Sequence, residues 1–341
     1  MLVFFNLAKT VGGKCSGMIV RVYSACIIMM TILGCAPTSQ PDDEFIQDKS
    51  AINAALADAV YVGEQACLEC HDHLDTHFSH TTHARSFRQN PRGAVEATVC
   101  EACHGPGSLH AEATWDKHLI IGFTQNWETP VALQNRQCLN CHAGGDRLHW
   151  AGSVHEVNQV ACSDCHNTMV EASLTGALAR TSISATCSSC HTQVQADFQK
   201  RSHMPVPEGK MSCVDCHNPH GSSTQPMLTA DSVNQVCYRC HAEKRGPFLW
   251  EHAPVRENCS NCHHPHGSNH EALLLTAAPF LCQQCHNASI GHPGSFYNNS
   301  QTAAAALVGG AQSARVIGRS CNNCHTQVHG SNHPSGARWQ R

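Results

Sequence analysis

The chain carries one dense apolar run and, after it, apolar positions scattered singly or in short groups between polar ones. The run, Val22 to Leu33 (VYSACIIMMTIL), is too short to span a bilayer as a stable helix. Lys9, Lys14 and Arg21 precede it and no acidic residue does, which is the layout of an export signal; Met18 offers a more compact start. The run closes in Ile32-Leu33-Gly34-Cys35, which reads as a lipobox with cleavage before Cys35. Residues 1–34 are then a lipoprotein-type signal peptide and Cys35 a lipid anchor. An ordinary signal peptide cut nearby, with Cys35 inert or removed, is the competing reading. Ala36 stands where Asp would favour retention at the inner membrane, so sorting to the outer membrane is expected.

Beyond the run the pattern predicts few regular elements. Residues 35–60 are first Pro/Ser/Asp-rich and then mildly helical, a linker ending in a candidate helix over Ser50–Val60. A second candidate helix covers Ala185–Lys200. Strand signals are nearly absent, and no later stretch is apolar enough to cross a membrane.

Composition changes this picture. Aromatic residues make up 6% and charged residues 14%, whereas there are 23 cysteines and 27 histidines. A chain so poor in large apolar side chains must replace its core with disulfides, metals or a bulky cofactor.

The cysteine spacing decides among these. Ten copies of Cys-x-x-Cys-His follow one another. In chain order they are Cys67/Cys70/His71, Cys100/Cys103/His104, Cys138/Cys141/His142, Cys162/Cys165/His166 and Cys187/Cys190/His191. Then come Cys213/Cys216/His217, Cys237/Cys240/His241, Cys259/Cys262/His263, Cys282/Cys285/His286 and Cys321/Cys324/His325. Chance would supply on the order of 0.1 such strings. Only Cys15, Cys26 and Cys35 fall outside them. Two thiols three residues apart on one helical turn can form thioethers to the two vinyl groups of a haem, with the next His beneath the iron. Disulfides, zinc sites and thioredoxin-like pairs give no reason for a His after every second cysteine. Ten covalent haems c are expected, attached after export.

A sixth iron ligand must come from the remaining 17 histidines. His220 and His266 share a CHxPHG turn; His203, His252, His292, His329, His110 and His155 stand in Pro- or Gly-bounded strings. Among His73, His77, His80 and His83, the favoured ligand is His83. After the fourth motif the sequence reads CHNTM, with Met169 where a histidine would be expected. Either Met169 ligates an iron, at a raised potential, or it packs and another residue such as His149 serves.

Motif starts lie 22 to 39 residues apart, too close for a domain per haem. Neighbouring segments must share haems and stack. The fold expected is a multihaem cytochrome c: mostly loops and short α-helices wrapped around ten haems, elongated, essentially without β-sheet. Residues 61–200 would form an N-terminal pentahaem module and residues 201–341 a C-terminal one.

Three strings carry a family resemblance: Cys237–Ser268 (CYRCHAEKRGPFLWEHAPVRENCSNCHHPHGS), Leu281–His286 (LCQQCH) and Gly318–Gly336 (GRSCNNCHTQVHGSNHPSG). In these the chain resembles the MtrA/DmsE/PioA-type decahaem cytochromes of outer-membrane electron conduits, closely over 200–341 and mainly in spacing before that. The resemblance implies a haem wire inside an outer-membrane β-barrel porin. Such a wire joins periplasmic electron-carrying cytochromes to an external cytochrome, terminal reductase or iron mineral, in anaerobic respiration or iron oxidation. It also implies the distal ligands His83, His110, His155, His203, His220, His252, His266, His292 and His329, with Met169 at the tenth position. The lipobox is a departure from the family.

Two other classes compete: a multihaem reductase, which needs an open iron site, and a periplasmic shuttle that never enters a barrel. All ten motifs keep their His and distal candidates outnumber the motifs, which disfavours the enzyme. Removing residues 1–34 leaves more acidic than basic residues and no basic face for nucleic acid.

Overall fold

The computed structural model describes residues 56–286, 321–323, 325–334 and 336. The export segment, Cys35, His292 and Cys324 lie outside them. The described residues from Asp58 onward fall in one compact unit. Its α-helices are α1 (Glu64–Phe78), α2 (Thr82–Gln89), α3 (Glu101–His104), α4 (Ser108–Glu112), α5 (Val131–His142) and α6 (Val154–Val157). There follow α7 (Cys162–Cys165), α8 (Ile183–Ser188), α9 (Thr192–Asp197), α10 (Val233–Tyr238), α11 (Ala253–Glu257) and α12 (Ala278–Gln283). Single 3-10 turns carry Cys213, Cys259 and Cys321. No strand occurs among the described residues; antiparallel contact is confined to isolated bridges.

The motif itself keeps these helices short. Its two cysteines need one helical turn, and its histidine then has to leave the helix. His191 (φ −86°, ψ 56°) and His241 (φ −105°, ψ 50°) both do so. The helix expected over Ala185–Lys200 is therefore broken into α8 and α9 at His191. Within α1, His71 kinks the helix at φ −113°, ψ 27°. The candidate helix Ser50–Val60 is not formed over its described part, residues 56–60, which are turn and coil. Hydroxyls start several of the helices: Thr81, Ser153, Ser182 and Ser232 accept from Ala84, Glu156, Ala185 and Gln235 backbone N–H at 3.1–3.2 Å.

The repeating unit is a pair of consecutive motifs. The first cysteines of each pair lie beside one another: Cys67 and Cys100, Cys138 and Cys162, Cys187 and Cys213, Cys237 and Cys259, and Cys282 and Cys321. Two asparagines, each three residues before a motif, lock such pairs. Asn135 accepts from Cys162 N–H (2.8 Å) and donates to the Val160 carbonyl (3.1 Å). Asn234 accepts from Cys259 N–H (2.7 Å) and donates to the Val255 carbonyl (2.9 Å). Packing also runs across residue 200, where α8 of the fifth motif meets the turn at Cys213 of the sixth.

The apolar core among the described residues is thin, its one cluster being Phe78, Ala84 and Val99 with Phe87, Cys100 and Met169 packed against it. Buried polar groups take over part of its role. The Glu101 carboxylate, 2% exposed, accepts from the N–H groups of Val62 (2.9 Å), Gly63 (2.8 Å) and Gly107 (2.8 Å). An orphaned buried N–H costs about 1–3 kcal/mol. Glu101→Ala is therefore expected to destabilise the haem-loaded protein by about 1–3 kcal/mol, with Glu101→Gln losing less. Denaturant titration checks this, and an unchanged midpoint in Glu101→Ala would contradict it.

Candidate haem-binding sites

One motif cannot supply both axial ligands of its own iron. Three residues reach at most about 10 Å, too little to pass from one face of a macrocycle around its edge to the other. His217 and His220, or His263 and His266, therefore cannot serve one iron, and the opposing ligand must come from elsewhere in the chain.

The structure places rings accordingly. Seven motif histidines face a second histidine: His71–His110 (6.5 Å between ring centroids), His142–His83 (5.9 Å), His166–His220 (6.1 Å) and His191–His155 (6.1 Å). The others are His217–His266 (6.1 Å), His286–His252 (6.0 Å) and His263–His329 (6.1 Å). Two imidazoles on opposite sides of one metal, each at a bond length of about 2.0–2.1 Å, have centroids about 6 Å apart. The rings and the motif cysteines thus fit haem c.

The pairs follow a register. Odd motifs draw their partner from the segment two motifs back: His83 lies between motifs one and two and faces the third, and His155 and His252 repeat the offset. Even motifs draw theirs from just after the motif two ahead: His220, His266 and His329 face the fourth, sixth and eighth. His110, just after the second motif, faces the first.

Three clamps produce this interleaving by seating a turn on an earlier segment. Asn218 donates to the Asp146 carbonyl (2.8 Å), and the Pro219 carbonyl meets His155 Nδ1 (2.7 Å). Ser202 and Ser268 exchange backbone hydrogen bonds (2.9 and 2.7 Å), as do Trp250 and Ser331 (both 3.0 Å). Val328 carbonyl meets His252 Nδ1 at 3.0 Å. In each clamp the distal histidine is followed by glycine, at Gly221, Gly267 and Gly330. Gly221 has φ 103°, and a Cβ there would stand 2.1 Å from the His149 carbonyl oxygen. Only glycine permits both the conformation and the approach.

Each even motif from the fourth to the eighth is closed by a returning loop, with bridges His166–Leu178, His217–Leu228 and His263–Leu274. These loops and that after the second motif present a carbonyl to the proximal Nδ1: Ile121 to His104 (2.7 Å), Gly176 to His166 (2.7 Å), Pro226 to His217 (2.9 Å) and Ala272 to His263 (2.7 Å). A fixed Nδ1–H leaves Nε2 as the ligating atom. Burial pushes His83, His110, His220 and His266 below the ordinary histidine value, and the opposed imidazole adds to the shift. Each is neutral near pH 7 and keeps a lone pair for a metal.

The returning loops also divide the motifs into two kinds, a difference the identical Cys-x-x-Cys-His strings do not announce. In the second, fourth, sixth and eighth motifs the second cysteine (Cys103, Cys165, Cys216 and Cys262) and the histidine are half-buried. In the odd motifs the corresponding thiols, Cys70, Cys141, Cys190, Cys240 and Cys285, are exposed, and so are the histidines that follow them.

Other expected residues fall differently. The fourth motif's His166 is opposed by His220, so neither Met169 nor His149 stands across from it; His149 is exposed. His203 occupies its place in the second clamp, but its Nε2 meets Glu208 (3.0 Å), which raises its pKa, and it forms no close ring pair with His241. His325, the tenth motif's histidine, is half-buried and closes its turn by donating its N–H to the Cys321 carbonyl (2.9 Å). It is not among the seven opposed pairs; the candidate ligand His292 and its neighbour Cys324 lie outside the described residues. Among the described residues no group of three or more His, Cys, Asp or Glu side chains forms a zinc-type cluster, and the cysteines there are free of disulfides. Sequence reasoning missed the cross-motif register, the odd–even difference in exposure, Glu101, and the asparagines at 135 and 234. The repeated Asn-x-x-Cys strings Asn135–Cys138 and Asn234–Cys237 were the available signal for the last two.

Comparisons with known proteins agree with this chemistry. A family model for the doubled CXXCH motif matches residues 203–246 and 252–290. Motif and site together define a multihaem c-type cytochrome, an electron-transfer protein. The chain is 45% identical over 279 residues to the multihaem cytochrome MtrA of Shewanella baltica (strain OS185), covering 82% of this chain and 81% of that protein. It belongs to the MtrA family of multihaem cytochromes.

The ring planes carry a spectroscopic consequence. His166–His220, His263–His329 and His71–His110 are near parallel (12°, 13° and 15°), whereas His83–His142 stand at 77°. Near-perpendicular imidazole planes leave the π-symmetry iron orbitals almost degenerate and push the largest g value up. The oxidised protein is expected to show rhombic low-spin signals plus a large-g low-spin signal. His83→Ala should replace that large-g signal with a high-spin one, and its survival would contradict the pairing.

Proposed function

We propose that this chain is a decahaem wire that carries electrons across the outer membrane inside a β-barrel porin. The supporting observation is the register itself. Opposed imidazoles occur at the first motif, the third to the sixth, the eighth and the ninth, and all but His71–His110 link segments two motifs apart, so one local geometry spaces the irons they would hold along most of the chain. The motif cysteines attach ten haems c and the motif histidines, His325 included, bind their irons. Distal ligation comes from His110, His83, His220, His155, His266, His252 and His329 for the paired motifs, from His203 for the seventh by the shared register, and from His292 for the tenth. Bound haem supplies one-electron chemistry, while the chain fixes ring orientation and excludes water.

The membrane argument is physical. A bilayer is about 40–45 Å thick with its interfacial regions, and a polar chain cannot sit bare in lipid. Among the described residues no helix is long and apolar enough to cross. A surrounding barrel satisfies both constraints. Its partners are then a periplasmic cytochrome on one side and an extracellular cytochrome or terminal reductase on the other. Lipidated Cys35 would hold the chain at the membrane.

Intact mass spectrometry of the mature protein is expected to show ten haem additions, with a lipid mass that is absent from Cys35→Ser. Eight or fewer haems would contradict the count. The native protein, purified with its barrel and placed in liposomes, should reduce an external acceptor using an internal donor. No transfer in a fully haem-loaded, barrel-containing preparation would contradict the conduit.

A further inference from the structure

We infer that Met169 is the distal ligand of the haem on Cys100 and Cys103, opposite His104; the inference rests on the haem-ligand reading proposed above. Three observations lead there.

First, residue 169 occupies the same local position as two histidines of the register. Met169 N–H is held by the Asn167 side chain (2.9 Å), as His220 N–H is held by Asn218 (3.1 Å). Both turns follow a motif histidine that bridges to a leucine, His166 to Leu178 and His217 to Leu228. Met169 is thus the fourth motif's counterpart of His220 and His266.

Second, the register fixes which iron such a residue reaches. His220 follows the sixth motif and faces the fourth; His266 follows the eighth and faces the sixth. A residue so placed after the fourth motif reaches the second. His104 has Phe123 beside it (5.2 Å), and no histidine is paired with it at the 6 Å spacing of the seven opposed rings.

Third, Met169 packs against Phe78, Ala84 and Val99, where Cys100 also packs. Cys100 is the first cysteine of the second motif, and Ala84 adjoins His83. The other clamps likewise bring the two kinds of distal ligand together: His155 meets the Pro219 carbonyl beside His220, and His252 meets the Val328 carbonyl beside His329. Met169 beside the His83 segment makes a fourth clamp. Where the other three have His-Gly, this one has Met169-Val170. A thioether needs no hydrogen-bond partner and suits this apolar pocket.

Methionine in place of imidazole stabilises the reduced iron and raises its potential. The second haem then holds its electron in preference to its bis-histidine neighbours.

The test uses the haem-loaded full-length protein, with haem content measured by mass on the same samples so that a failure of the haem reading is seen separately. The oxidised parent is expected to show a methionine-to-iron charge-transfer band at the red edge of its spectrum, with the intensity of one haem. Met169→His, which keeps the iron six-coordinate, should lose the band and move the highest-potential step of the redox titration down among the others. His220→Ala should keep the band and turn one haem high-spin. No band in a fully loaded parent would make Met169 a packing residue and overturn the inference. An all-low-spin His220→Ala protein would place Met169 on the fourth haem and overturn the assignment.

Discussion

An iron held between two imidazoles on opposite faces of a macrocycle requires two chain segments. A single Cys-x-x-Cys-His turn supplies one face and, within the next three residues, cannot reach the other. With the ligands proposed here, a segment would serve two haems at once, its own through the motif and another through a distal ligand. His220 illustrates this: it lies three residues beyond His217 yet faces His166. Short helices, glycine after the distal histidine and a carbonyl beneath proximal Nδ1 atoms are consequences of that demand. The two-motif offset lets it be met repeatedly by one local geometry.

The same constraint explains the thin core. With Phe78, Ala84 and Val99 as the buried apolar cluster, hydrophobic burial by side chains alone does not account for a unit of this length. Polar anchoring fixes the segments instead, through Glu101 on three N–H groups and Asn135 and Asn234 across motif pairs. Haem would supply the missing apolar mass and the ligand bonds, so folding and loading are coupled, as in other small metal-dependent folds. The nearness of first cysteines, Cys187 and Cys213 for example, would attach paired macrocycles at neighbouring points.

Much of this was legible in the sequence because the chemistry is local. Thiol spacing and the following histidine are properties of one helical turn, so the motifs, the cofactor class and the scarcity of regular structure could be read directly. The partner of each distal ligand could not, because it depends on how segments about fifty residues apart in sequence cross. The string His-Pro-His-Gly shows a tight turn but not which iron the second ring faces. Nor does the motif say whether a loop will return over it, so exposed Cys190 and half-buried Cys216 read alike. Met169 suffered most: read beside its own motif it belongs to the fourth haem, and only the crossing moves it to the second. The helix expected over Ala185–Lys200 failed for a related reason, since propensity ran through His191 while ligation requires the chain to turn there.

Interleaved ligation ties structure to electron transfer. If neighbouring haems share segments as proposed, their spacing would be set by covalent chain geometry and by clamps such as Ser202–Ser268 and Trp250–Ser331 rather than by loose docking. The central claim is the offset, and iron positions test it most directly. An experimental density map of the haem-loaded protein, with irons located by anomalous scattering or cryo-microscopy, should place one iron between His166 and His220 and another between His217 and His266. An iron ligated by a distal residue from its own motif, such as His217 with His220, would contradict the account.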